Sequence, residues 1–149
     1  MKAIAAGLAL LCSGIAIGPA LADPPAATMA YNTLSSADFA KSPGGVTLID
    51  IRQPKEWAET GIPAGAKGVT LQRPDFVEAI LAEVGGDKTK PVALICRSGS
   101  RSKTGAEQLV AAGFTNVTSI GDGMIGREGV GEGWLAAKLP TRTFAAPAE

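Results

Sequence analysis

Histidine is absent from all 149 residues of the chain. That absence excludes Ser–His–Asp and Cys–His catalysis and, with them, most catalytic zinc sites. An excess of charge is missing too, with 14 Lys plus Arg against 14 Asp plus Glu. No broad field therefore draws the chain to nucleic acid or to an anionic membrane surface, and any basic site has to be local. Aromatic residues are few, at 5%, and cysteine is limited to two. What remains is ordinary globular material, 46% hydrophobic and 19% charged. It is too apolar for wholesale disorder and long enough for one domain.

One of the two cysteines lies in a segment that reads as an address rather than as fold. Met1 and Lys2 make a short positive start, and residues 3–17 are an almost unbroken apolar run. Ala20-Leu21-Ala22 then fits a small-x-small cleavage site. The competing reading is an uncleaved membrane anchor, in which Gly18-Pro19 and that site would have no purpose. Residues 1–22 are therefore expected to be a signal peptide, placing the remainder in a bacterial periplasm or outside the cell, with no membrane association after cleavage. Cleavage would remove Lys2 and Cys12 and leave Cys96 as a solitary thiol. No internal disulfide could then support the fold. An unpaired thiol in an oxidising compartment has to be buried or employed.

Residues 23–30 read as a linker, residues 31–143 as one domain and residues 144–149 as a tail. Ser35-Ser36-Ala37-Asp38 opens a brief helix with a capping pattern. Residues 46–49 form a short β-rich run that predicts a strand buried on both faces. Pro54 suits the first position of a helix through residue 60 that buries Trp57. A strand is expected at 68–71, a helix at 74–84 stopped by Gly85-Gly86, and the clearest buried strand at 92–95. The clearest helix spans 102–112, the last strand 116–120, and a short helix is expected around 134–138. Strands alternating with helices predict an α/β domain with a mainly parallel sheet.

Cys96 directly follows the buried strand, and the long helix begins a few residues later. Between them lies Cys96-Arg97-Ser98-Gly99-Ser100-Arg101. Such turns at the carboxyl ends of strands are where open α/β sheets bind ligands. A short turn with a central glycine can curl its backbone N–H groups inward and, with the helix start, form an anion cradle. From 88 to 106 there are five cations (Lys88, Lys90, Arg97, Arg101, Lys103) and no acid. Free cysteine is among the most buried residue types, so a lone cysteine is by default an inert core residue. The arginines, the glycine turn and the helix argue otherwise here. With no histidine to serve as base, only these dipoles and cations are available to hold the sulfur as the reactive anion.

These residues resemble a known family. Leu48-Ile49-Asp50-Ile51-Arg52 followed by Glu56-Trp57 is similar to the D-V-R…E-[FW] signature of rhodanese domains. Cys96 through Ser102 resembles their active-site loop, and Ala112-Gly113-Phe114-Thr115-Asn116-Val117 resembles the A-G-F-x-x-V that follows. Gly123-Met124, Trp134 and Leu139-Pro140 fit the closing pattern. The resemblance implies a doubly wound sheet with helices on both faces. It also implies a sulfurtransferase in which Cys96 takes the outer sulfur of thiosulfate or a similar small anionic donor and passes it to cyanide or a thiol. Arg97, Ser98, Gly99, Ser100 and Arg101 are then the donor-binding residues, with the arginines on the anion and the loop amides on the persulfide. Asp50 and Arg52 are expected to be structural. No metal or other cofactor is implied, and the chain is expected to be a monomer.

Two departures stand out. The family's G-H-I-P-G-A is here Thr60-Gly61-Ile62-Pro63-Ala64-Gly65-Ala66, without the histidine, so the local turn is expected to differ. The segment 121–133 is long and glycine-rich and is expected to form a mobile rim over the site.

Three other readings compete. Gly121-Asp122-Gly123-Met124-Ile125-Gly126 is a literal G-x-G-x-x-G, but more glycines follow where a dinucleotide-binding helix should start. A thiol phosphatase needs five residues between cysteine and arginine to wrap a phosphate, and here there are four; the smaller cradle suits one sulfur. Finally, the chain could be a persulfide carrier or partner-binding module that serves a protein acceptor with little turnover of its own.

Overall fold

The computed structural model describes residues 30–145. The expected signal peptide, nearly all of the linker and the end of the tail lie outside the described residues. In chain order the elements are β1 (Asn32–Leu34), α1 (Ser36–Lys41), β2 (Thr47–Asp50), α2 (Pro54–Thr60), β3 (Ile62–Pro63) and β4 (Lys67–Gly68). There follow α3 (Phe76–Glu83), β5 (Val92–Ile95), α4 (Ser100–Ala111), β6 (Val117–Ile120) and β7 (Thr141–Arg142).

Five strands form one wholly parallel sheet in the order β1-β6-β5-β2-β4. β5 sits at its centre with all four residues buried. Because side chains alternate across a strand, each central strand feeds two cores. Ile49, Val92 and Leu94 point to the face covered by Phe76 and Ile80 of α3 and Ala106 and Leu109 of α4. Leu48, Ala93, Ile95 and Ile120 point to the other, covered by Phe39 of α1 and by Trp134. A fully buried Leu or Ile stabilises by about 1.5–3 kcal/mol. Truncating Leu94, which is 0% exposed, to alanine would cost about 2–5 kcal/mol and loosen the strand that carries the site. The doubly wound α/β arrangement expected from the sequence is the one observed.

Local signals account for most boundaries. Ser35 caps α1, its hydroxyl accepting from the Asp38 N–H. Pro54 opens α2, and the Glu56 carboxylate accepts the Gln53 N–H at 3.0 Å. Three expectations need correction. The ladder of β4 covers only Lys67–Gly68, since its partner β2 ends at Asp50, although the Val69 and Leu71 amides still donate to the Asp50 and Ile51 carbonyls. Residues 134–138 form consecutive turns, not a helix. Confined between Gly133 at φ +88° and Pro140, with Lys138 itself at φ +54°, they have no room for a stable helical nucleus. The long helix starts at Ser100, two residues earlier than expected, which changes the shape of the cysteine loop.

The missing histidine also has a structural cause. Gly61 occupies that position at φ +76°, and a Cβ there would lie 2.8 Å from the Arg142 carbonyl oxygen. The two-stranded pairing of β3 with β7 brings Arg142 in so close that only glycine fits.

Candidate active site

β5 delivers Cys96 to the carboxyl edge of the sheet, and Gly99 turns the chain into α4. Gly99 is the N-cap of that helix at φ +95°, in the left-handed region, and a Cβ on it would overlap the Gly121 carbonyl oxygen. This tight turn aims two backbone donors at one atom. The Gly99 N–H lies 3.1 Å from Cys96 Sγ and the Ser102 N–H lies 3.3 Å from it. The sulfur is thus held at the start of α4, where unsatisfied amides and the helix dipole favour negative charge. Cys96 is 1% exposed, so little water competes for it.

Behind the sulfur stands a hydroxyl pair. Cys96 Sγ is 3.6 Å from Ser102 Oγ, which accepts from Ser119 Oγ at 3.0 Å and reaches the Gly99 and Ile120 carbonyls. Both serines are buried.

The two loop arginines have different surroundings. Arg101 makes a two-point contact with Glu56, Nη1 to Oε2 at 2.7 Å and Nη2 to Oε1 at 2.6 Å. Those hydrogen bonds hold the Glu56 carboxyl down at about 2, against the opposing effect of burial. Direct contact of Arg101 with a donor would require this pair to open. Arg97 is exposed and makes no side-chain hydrogen bond or ion pair among the described residues. Ser98 is half-buried and Ser100 exposed, the latter already in the first turn of α4.

The expected five-cation field is smaller than the sequence implied. Lys88 and Lys90 precede β5, while Cys96 follows it. At about 3.3 Å per residue, four strand residues separate the two ends by about 13 Å. Lys88 instead donates to the Ala112 carbonyl at the far end of α4, at 2.7 Å.

Asp50 and Arg52 form a latch beside the site. Arg52 is 2% exposed and Asp50 0%. Arg52 Nη2 lies 2.7 Å from Asp50 Oδ2, and its other donors reach Thr60 Oγ1 at 2.8 Å and the Gly61 carbonyl at 2.8 Å. The pair ties the end of β2 to the C-terminal end of α2, the helix that carries Glu56.

The glycine-rich segment expected as a mobile rim is tied down at its base. Met124 N–H donates to the Cys96 carbonyl at 2.9 Å and Ile125 N–H to that of Arg97 at 3.0 Å. Asp122 is buried and accepts from Ser36 N–H and Oγ, each at 2.8 Å, and from Gly133 N–H at 3.1 Å. The literal G-x-G-x-x-G is therefore a brace for the cysteine loop.

Ser102, Ser119, Asp122 and Glu56 are not among the site residues expected from the sequence. Glu56 and Ser102 stood inside the quoted motifs, where only the burial of Trp57 and the helix start were read. Nothing local marked Ser119, which reaches the site only through the parallel packing of β6 beside β5, and Asp122 was read only as part of the glycine motif.

Comparison with known proteins agrees with this arrangement. Residues 35–126 match the family model described as Rhodanese-like domain. An uncharacterized protein of Rickettsia conorii is 32% identical over 119 residues, covering 76% of this chain and 91% of its own. The thiosulfate sulfurtransferase GlpE of Pseudomonas syringae is 29% identical over 79 residues, covering 53% of this chain and 69% of its own. Among solved structures, the polysulfide-sulfur transferase homodimer of Wolinella succinogenes superimposes with a TM-score of 0.54 at 27% identity, covering 80% of this chain and 83% of its own. A cysteine cradled by amides at the head of α4, on a doubly wound parallel sheet, thus sits in a chain that belongs to the rhodanese-like family.

Proposed function

We propose that the chain is a sulfurtransferase that moves sulfane sulfur from thiosulfate, or a similar small anionic donor, to a thiophilic acceptor through a persulfide on Cys96. The observation that carries this reading is the convergence of the Gly99 and Ser102 N–H groups on Cys96 Sγ. Donors fixed in advance around an atom that bears negative charge lower the cost of forming that charge. Cys96 Sγ, as thiolate, attacks the outer sulfur of the donor. A Cys–S bond to that sulfur forms, the sulfur–sulfur bond of thiosulfate breaks, and sulfite leaves with the electron pair. The outer persulfide sulfur then carries the charge until the acceptor takes it, returning the thiolate to Cys96.

Arg97, exposed beside the loop, meets the approaching anion, while Arg101 braces the helix head through Glu56. The glycine turn shapes a cradle for one sulfur rather than for a tetrahedral phosphate.

The test is intact mass after incubation with thiosulfate. Wild type should gain one sulfur atom and Cys96→Ser none; no gain in wild type with any sulfane donor would overturn the proposal. We also propose that the reaction occurs outside the cytoplasm, a consequence of the leader read at 1–22. Recovery of the protein in the cytoplasmic fraction, with Met1 still at its terminus, would contradict that.

A further inference from the structure

Beside the cysteine loop lies a hollow of about 130 Å³ lined by Arg52, Glu56, Glu59, Thr60, Arg97 and Ile125. Four of these residues are charged, but two have their charge already met. Arg52 is saturated by Asp50, Thr60 and the Gly61 carbonyl, and Glu56 by both nitrogens of Arg101. That leaves Arg97 and Glu59, both exposed and neither in an ion pair among the described residues. The hollow borders the cysteine loop, since Arg97 directly follows Cys96 and the Ile125 N–H donates to the Arg97 carbonyl.

A site for a doubly negative donor alone has no use for a free carboxylate at its mouth, because Glu59 repels that donor. One free cation and one free anion on the same small wall match a ligand that carries both charges. We infer that the acceptor is a small thiol bearing an ammonium and a carboxylate, with Glu59 reading the ammonium and Arg97 the carboxylate. The inference rests on the persulfide reading above and assigns Glu59 as a specificity-determining residue. In the step, the acceptor thiolate attacks the outer sulfur of the Cys96 persulfide, having lost its proton to solvent. A new sulfur–sulfur bond forms on the acceptor, the bond from that sulfur to Sγ breaks, and its electron pair stays on Sγ. No oxidant or reductant is needed.

The experiment loads the full chain with thiosulfate, follows loading by intact mass, and measures discharge by four thiols. These are cysteine, cysteamine, 3-mercaptopropionate and 2-mercaptoethanol. Glu59→Gln should slow discharge by the two ammonium-bearing thiols by about 1.5- to 5-fold, the range carried by one exposed charge contact. The same variant should leave 2-mercaptoethanol unchanged and speed both 3-mercaptopropionate and thiosulfate loading. Glu59→Lys should widen every one of these differences. A damaged fold would slow all reactions together, so changes of opposite sign are the supporting result. Equal factors for all four thiols, or no change, would overturn the assignment while leaving the persulfide intact. Failure of wild type to load at all would remove both readings.

Discussion

Glu56 and Arg101 lie 45 positions apart in the chain and meet through two hydrogen bonds of 2.6 and 2.7 Å, joining α2 to the first turn of α4. The contact fixes the helix head whose Ser102 amide points at Cys96. Its carboxyl titrates at about 2, below the ordinary value of 4.5. A carboxyl lowered on folding adds stability that is fully present above pH 4.5 and is lost as pH falls toward 2. Wild type should therefore lose stability between pH 4.5 and 2. Glu56→Gln should be less stable at pH 7 by about 1–2 kcal/mol, after allowance for partial exposure, and should lose less on acidification. Urea unfolding midpoints from pH 2 to 7 measure both. Parallel curves for the two proteins would count against the role given to this pair.

Arg97→Ala should weaken donor capture without touching the fold. The side chain is exposed and bonds to no described residue, so the melting temperature should stay within a degree or so. KM for thiosulfate should rise about three- to tenfold while kcat changes little, and the difference should shrink with added salt as the charge is screened. A fall in kcat at constant KM would place the guanidinium on the transition state instead.

Ser102→Ala removes a hydroxyl and keeps the backbone amide. It leaves Ser119 without its acceptor and Sγ without its nearest hydroxyl, at a cost of about 1 kcal/mol or more in stability. Persulfide formation should slow by less than about tenfold, because the two amide donors remain. Rapid-quench mass spectrometry measures this. Abolished loading in a folded variant would mean that the hydroxyl, not the amides, carries the anion.

Gly99→Ala should be the most damaging single change in the loop. The residue stands at φ +95° with its Cα facing the Gly121 carbonyl, so alanine meets both backbone strain and a clash. A loss of about 3 kcal/mol is expected, with loading abolished even where the protein still folds in the cold. Thermal unfolding and the mass assay together decide the matter.

Much of this was legible in the sequence because it was local. The run 92–95, too short and too apolar for a surface helix, became the central buried strand, and the cysteine loop followed from its glycine and arginines. Capping by Ser35 and the Pro54 start of α2 were equally local. What stayed hidden depended on packing. β1 is exposed along its length, and β3 and β7 have two residues each, so none carries a periodic signal. Glu56 reaches Arg101 only because α2 follows β2, which lies beside β5. The lysines before β5 were nearby in sequence yet far from the sulfur, because an intervening strand carries the chain across the sheet.

The near-complete enclosure of Cys96 has a consequence for how long its thiol lasts. A disulfide requires two Cα atoms within about 4.4–6.8 Å of each other. With 1% of Cys96 accessible, the folded backbone of another copy has no way to bring a second cysteine that near. A small sulfur anion needs no such approach of two backbones. Burial alone thus keeps two folded copies of the chain from cross-linking through Cys96.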